Sequence, residues 1–171
     1  DIYERGVVKY SPFAALANTL KSLEAKAVPA MQREEQRRAE KEYAEGQKLW
    51  GETRINIGDA VRQGIIKEGE SPYLRKGYRA ANLHVLAANY ATELKHQLET
   101  KKLYHDGDPE KIEKFITDFQ TSYQSNNNFD DFGVVETAEI FGSNAMKANV
   151  AFKASWREKH TEYMTEKVYE G

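Results

Sequence analysis

Three short motifs in this sequence pair a helix-capping side chain with proline, and they constrain the fold more than any other feature. They are Ser11-Pro12, Ser71-Pro72 and Asp108-Pro109. Proline suits the first position of a helix because its missing N–H would be unpaired there, and the preceding Ser or Asp oxygen can accept a hydrogen bond from a free amide. The motifs therefore predict three helix starts.

Apolar residues follow each motif at helical spacing. After Pro12 they are Phe13, Leu16, Ala17, Leu20, Leu23 and Ala27. After Pro72 two stripes overlap: Leu74, Tyr78, Ala81, Val85 and Ala88, and Leu83, Leu86, Tyr90, Leu94 and Leu98. After Pro109 they are Ile112, Phe115, Ile116, Phe119 and Tyr123. A last stripe comprises Val134, Ala138, Phe141, Ala145, Ala148, Phe152 and Trp156, with Gly142 as a weak point or kink.

The sequence nowhere alternates apolar and polar residues as a half-buried strand does. We therefore predict an all-α fold, an antiparallel helical bundle of long helices with a charged, protruding helix. Its three regions are an N-terminal helical arm (1–50) with a kink at Pro29, a glycine-rich connector (51–70) and a helical bundle region (71–171). The connector holds a short helix from Asp59 to Gln63, capped by Asp59 and stopped by Gly64, and the bundle holds helices at about 72–104, 109–124 and 130–167.

The protruding helix, predicted over 31–49, is dominated by charge. Nine of the thirteen residues from Arg33 to Glu45 are charged, and opposite charges lie four residues apart in pairs such as Glu34 with Arg38 and Arg38 with Glu42. Such pairs stabilise a helix by about 0.2–0.5 kcal/mol each. An ordinary solvated helix face and an interaction arm both fit this pattern.

The amino-acid composition excludes several classes of function and of binding site. Among 171 residues, 25 Lys and Arg face 27 Asp and Glu, so the net charge of −2 offers no overall positive field to hold nucleic acid. The absence of cysteine excludes disulfides, thiolate metal sites and a cysteine nucleophile. No apolar run approaches the roughly 18 residues of a membrane span. The first residues, Asp1-Ile2-Tyr3-Glu4-Arg5, do not have the pattern of a signal peptide, and we expect the chain to be a piece of a longer protein or a processed one.

Catalytic, cofactor and metal sites are not predicted. Glu93 and His96 form one E-x-x-H pair, which is half of a carboxylate-bridged dimetal site, but the sequence lacks the second pair. The acidic residues Asp106, Asp108, Asp130 and Asp131 could in principle supply a glycosidase pair, although helix capping explains Asp108 and one of the last two better. A helical carboxylate-dependent hydrolase or metalloprotein is therefore the weakest alternative.

One segment resembles a known family. The residues Gly64-Ile65-Ile66, followed by Glu70-Ser71-Pro72-Tyr73, Gly77-Tyr78-Arg79 and Tyr90, resemble the N-terminal helical region of the internal virion (ejection or core) proteins of T7-like short-tailed phages. In these proteins a charged helix leads into a glycine-containing turn, after which an acidic residue, a proline and an aromatic residue open a long helix. The order of elements is similar from Phe13 to Lys167.

The resemblance implies a structural, non-catalytic component of a virion core and genome-ejection apparatus. Such a protein is stored inside the virion and, after ejection, forms a ring or tube across the host cell envelope and periplasm that conducts DNA. Its implied partners are further copies of itself, other virion or ejection proteins, possible portal contacts, and DNA held transiently and without sequence specificity. No cofactor and no membrane span are implied for this chain.

We expect the contacts between copies to come from the charged arm and from the wide apolar face of the long helix. The candidate interface residues are Arg33, Glu34, Arg37, Arg38, Glu42, Tyr73, Tyr78, Tyr90, Leu94 and Leu98. Ring subunits meet through heterologous contacts, in which one face packs against a different face of the next copy. The alternative is a non-catalytic helical scaffold or adaptor that binds another protein through the same surfaces.

Overall fold

The computed structural model describes residues 30–170, and all regular structure within this range is helical. The helices are α1 (Ala30–Thr53), α2 (Ile57–Arg62), α3 (Pro72–Thr100), α4 (Pro109–Asn126), α5 (Val134–Glu136) and α6 (Ser143–Glu170), with 3₁₀ turns at Leu103–His105 and Phe129–Asp131 and a π-helical segment at Thr137–Gly142. The all-α fold class is confirmed for the described residues. The antiparallel order of the bundle stays a prediction.

Two of the three cap-and-proline motifs begin helices as predicted. The Ser71 hydroxyl accepts a hydrogen bond from the Tyr73 amide at 3.1 Å, directly at the start of α3. Asp108 caps α4 by accepting a hydrogen bond from the Glu110 amide at 3.0 Å. The motif Ser11-Pro12, the helix expected after it and the kink at Pro29 lie outside the described residues.

The short connector helix begins earlier than predicted. Asn56, and not Asp59, is its cap, because the Asn56 side chain accepts a hydrogen bond from the Gly58 amide. Asp59 lies inside the helix and pairs with Arg62. Gly64 follows the helix with a positive φ of 77°, which glycine adopts without steric cost, so its predicted role after the helix end is confirmed.

Helix α3 ends at Thr100, before the predicted end near residue 104. Lys102 adopts a left-handed conformation with φ 49°, and the 3₁₀ turn at Leu103–His105 follows it. A non-glycine residue in that conformation interrupts the helical hydrogen-bond pattern. The apolar stripe alone could not reveal this stop.

The last predicted helix differs most from expectation. Phe141, Ala145, Phe152 and Trp156 are buried as the stripe predicts, but Val134 and Ala138 are exposed. Ala138 lies within the π-helical segment Thr137–Gly142 and Val134 precedes it; because this segment has a longer repeat than an α-helix, both residues fall out of phase with the stripe. As a result Ile140, not Ala138, is buried beside Phe141.

The chain divides into two compact units, and α3 contributes to both. The first unit extends to Val85 and includes Asp131–Ile140. The second comprises Leu86–Asp130 and the chain from Phe141 onward.

In the first unit α1 and α3 meet backbone to backbone. A Cβ atom on Gly46 would overlap the Leu74 carbonyl and lie 2.8 Å from the Tyr78 amide nitrogen. A Cβ on Gly77 would likewise overlap the backbone of Tyr43. Both tyrosines are fully buried beside this contact. The Tyr78 hydroxyl donates a hydrogen bond to the Ile55 carbonyl and lies 2.9 Å from the Thr53 hydroxyl.

The second unit is built around Tyr90. Its ring packs against Phe119, Tyr123 and Phe141, with centroid separations of 5.6, 5.2 and 5.3 Å. The Tyr90 hydroxyl donates to the Asn149 side-chain oxygen at 2.5 Å, and the Asn149 amide donates to Gln120 at 3.0 Å. This polar chain links α3, α6 and α4, because the three residues lie on those three helices.

We predict that Gly46→Ala and Gly77→Ala each lower the free energy of unfolding by about 1–3 kcal/mol or more, since the added methyl group must separate two backbones. Gly51→Ala is the matched control on α1, because a Cβ there meets no atom within 4 Å. That control should be stabilising by up to about 1 kcal/mol, as expected for alanine in a helix. Urea unfolding followed by circular dichroism measures all three; equal effects at the three positions would contradict the close approach.

Candidate interaction surfaces

The exposed face of α1 carries the charged half of the predicted interface. Arg33, Glu34, Arg37 and Arg38 are all exposed, whereas Glu42 is half-buried. Arg38 pairs with Glu35 at 2.6 Å and approaches Glu42 at 3.8 Å. The predicted contact with Glu42 is therefore present, but Glu35 takes the place expected for Glu34.

Part of this charged face is used within the chain. The Ser71 hydroxyl donates a hydrogen bond to the Glu42 carboxylate, and the Tyr73 hydroxyl donates to Glu35 at 3.4 Å. These contacts join α1 to the first turn of α3, and they leave Glu42 and Tyr73 half-buried. Arg33 and Arg37 form no ion pair within residues 30–170. Among the three arginines of the predicted interface, these two have no ion pair with a described residue.

Four predicted interface residues were wrongly assigned. Tyr78, Tyr90, Leu94 and Leu98 are all in the core, each at most 2% exposed. The two stripes on α3 are wide because the helix packs on several neighbours within the chain. The same apolar pattern would appear on a helix that contacts a partner, so periodicity could not separate these two cases.

The exposed apolar side chains lie elsewhere, mostly on the last helical segments. The large ones are Val61, Val134, Val135, Met146, Val150, Met164, Val168 and Tyr169. Met146 and Met164 are 18 residues apart, which is five turns of an α-helix, so they share one side of α6. Val150 and Val168 each follow one of them by four residues and flank the same side. The apolar stripe predicted over residues 130–167 indicates only a core-facing side, so periodicity does not reveal this exposed face.

A groove of about 370 Å³ runs between α4 and α6 in the second unit. We call it the α4–α6 groove; its lining residues are Glu113, Ile116, Thr117, Gln120, Thr121, Gln124, Met146, Asn149, Val150 and Lys153. Its two charged residues, Glu113 and Lys153, pair with each other. The groove therefore carries no net charge; Met146 and Val150 supply apolar surface on the α6 side, and the α4 side is rich in Thr and Gln.

The candidate metal ligands do not converge. Glu93 and His96 are both exposed on α3, and within residues 30–170 no three His, Asp or Glu side chains are placed to hold a metal ion. Asp108 serves as the cap of α4. Asp106 accepts hydrogen bonds from the Asp108 amide and from Lys111, and these contacts hold the pKa of its carboxyl below the ordinary value.

A histidine and a tryptophan fix the turn between α3 and α4. The Trp156 indole N–H donates to the Asp106 carbonyl at 2.9 Å. His160 Nδ1 lies 2.8 Å from the Tyr104 carbonyl, which can only accept, so Nδ1 carries the hydrogen. Gly107 packs directly against the same imidazole. These contacts give His160 a structural role in holding the turn.

Comparison of the chain with protein-family models, with curated proteins and with solved structures found no match in any of the three. A search of the helices among the described residues found none with the length and apolar character needed to cross a membrane.

We predict that Tyr90→Phe lowers the free energy of unfolding by about 0.5–1.5 kcal/mol, because it removes the hydrogen bond between the buried Tyr90 and the half-buried Asn149. Tyr169→Phe is the control, since that side chain is 87% exposed and should change stability negligibly. Thermal and urea unfolding of the two variants measure the difference. A loss in the control as large as that in Tyr90→Phe would contradict this assignment.

Tyr90 also predicts a loss of stability at high pH. Burial raises the pKa of the Tyr90 hydroxyl to about 12 from an ordinary 10.0. Between these values the unfolded chain has lost the proton that the folded chain still holds, so stability falls as the pH rises from 10 to 12. Urea unfolding at stepped pH should show a shallower decline for Tyr90→Phe than for the wild type; parallel declines would refute it.

Proposed function

We propose that this chain is a structural component of a phage virion core and genome-ejection apparatus, in which copies assemble into a ring or tube that conducts DNA across the host cell envelope. The observation that carries the proposal is the set of large apolar side chains exposed on α6, beside a groove, together with the open charged face of α1. Exposed apolar faces at regular spacing are typical of protein–protein contact surfaces.

The segment that resembles ejection proteins supports the proposal through its packing role. Ser71-Pro72 begins α3, Gly77 permits the close approach of α1, and Tyr78 is buried beneath that contact. These residues shape the first unit and are not a partner surface. The resemblance in these residues therefore supports a similar architecture. The surfaces that join copies of the chain would lie on other residues.

The charge distribution suits a DNA conduit. A channel must let the phosphate backbone slide, and each cation that binds a phosphate adds affinity that slows release. A net charge of −2 over the whole chain keeps such affinity low. In this proposal the chain catalyses no reaction, contacts DNA transiently, and resides in the virion interior before ejection and in the host periplasm after it.

Self-association of the full-length protein tests the proposal. Light scattering should show a defined oligomer of several copies whose mass does not rise further with concentration, as expected for a closed ring. A purely monomeric protein with no partner would contradict the proposal. A stable one-to-one complex with a different protein from the native source would instead favour a helical scaffold or adaptor, for which the same exposed surfaces would serve.

The charged face of α1 gives a more specific prediction. The double change Arg33→Glu/Arg37→Glu should weaken self-association roughly 2- to 30-fold, as expected for two exposed ionic contacts, and added salt should weaken the wild type similarly. The control, Lys76→Glu/Lys95→Glu, makes the same change in net charge at two exposed lysines of α3. Sedimentation equilibrium measures both variants. Equal weakening would assign the effect to net charge and would exclude the α1 face.

A further inference from the structure

Charge separates sharply at the end of the π-helical segment. From Asn126 to Gly142 the chain carries four acidic residues and no basic one. From Ser143 to Arg157 it carries three basic residues and no acidic one. Each stretch also exposes apolar side chains. Two surfaces of opposite charge and similar apolar character are thus present on one chain, on different units.

The acidic surface centres on two adjacent valines. Val134 and Val135, on α5 in the first unit, are 86% and 67% exposed. Asp131 and Glu139, both exposed, lie on either side of them along the chain. We call Val134 and Val135 the valine knob. Its exposure follows from the π-helical segment, which buries Ile140 and Phe141 and turns the valines away from the core.

The basic surface is the α6 side of the α4–α6 groove. Met146 and Val150 line it and are 67% and 63% exposed. Lys147 and Arg157 lie on the same helix, are exposed, and form no ion pair in the part of the chain that the structure covers. The charged residues that line the groove, Glu113 and Lys153, pair with each other, and Lys147 and Arg157 add positive charge along α6.

We propose that the valine knob of one copy of this chain seats in the α4–α6 groove of the next copy, with Asp131 and Glu139 facing Lys147 and Arg157. The inference rests on the proposed function and names the contact that joins its subunits. In this contact the valine knob and the apolar side chains of the groove are both removed from water, while opposite charges meet at the edge of the contact. Because knob and groove are different surfaces, the contact is heterologous and repeats from copy to copy.

Two other occupants fit these observations less well. A groove-to-groove pairing of two copies would bring Lys147 and Arg157 of both chains to one interface, where like charges repel. A nucleic-acid strand would place phosphates over a groove whose lysine, Lys153, is already paired with Glu113. The valine knob of a second copy can pack on the exposed Met146 and Val150, and the acidic residues beside it can face Lys147 and Arg157.

Single cysteines test this contact directly, because the natural chain contains none. Val135→Cys and Val150→Cys are made as separate full-length proteins, mixed in equal amounts and oxidised mildly. Cysteine is small and apolar, so neither change should disturb the contact between the valine knob and the α4–α6 groove. We expect the mixed Val135→Cys with Val150→Cys disulfide to exceed either homodimer about tenfold, since only that pair meets in the seated complex. Val168→Cys, an exposed valine of α6 outside the groove, is the matched control.

The outcomes separate this inference from the proposed function. Preferential Val150→Cys homodimers would overturn the knob-in-groove contact in favour of a groove-to-groove pairing. Equal cross-linking through Val168→Cys would also overturn it. If the wild type forms a closed oligomer by light scattering while the mixed disulfide is not enriched, only the inference fails. If the wild type is monomeric and no pair is enriched, the proposed function fails with it.

Discussion

The backbone contact between α1 and α3 is the constraint on which the first unit depends. Gly46 and Gly77 have no side chains to hold the helices apart, so each helix packs on the other's peptide groups. This proximity buries Tyr43 and Tyr78 completely, and the Tyr78 hydroxyl can then reach the Ile55 carbonyl where the chain leaves α1. The two glycines therefore fix where the charged helix α1 packs on α3, and the opposite side of α1 faces solvent.

The surfaces available to partners are those that packing within the chain leaves exposed. The apolar stripes of α3 are largely buried inside the chain. There the Tyr90 ring packs against three other aromatic rings, and its hydroxyl begins a chain of hydrogen bonds through Asn149 to Gln120. The π-helical segment Thr137–Gly142 changes the helical phase between α5 and α6. The valine knob before this segment is exposed, whereas Phe141 within it is buried in the aromatic core.

Much of the helical layout could be predicted from the sequence, because its signals are local. Ser71-Pro72 and Asp108-Pro109 act through their own hydrogen bonds, and the stripe from Ile112 to Tyr123 reports its own helix face. The interface residues were harder, since Leu94 and Leu98 look alike whether their neighbour belongs to the same chain or to another. The π-helical segment and the left-handed Lys102 depend on surrounding tertiary packing, and no local pattern of residue types indicates them.

We propose that this chain acts by presenting helix faces to copies of itself. Electron microscopy of the purified full-length protein is the decisive test, because it images the assembly and its symmetry together. We expect particles with rotational symmetry and a central opening wide enough to admit duplex DNA. A uniform population of single, unassembled chains at high protein concentration would contradict the claim.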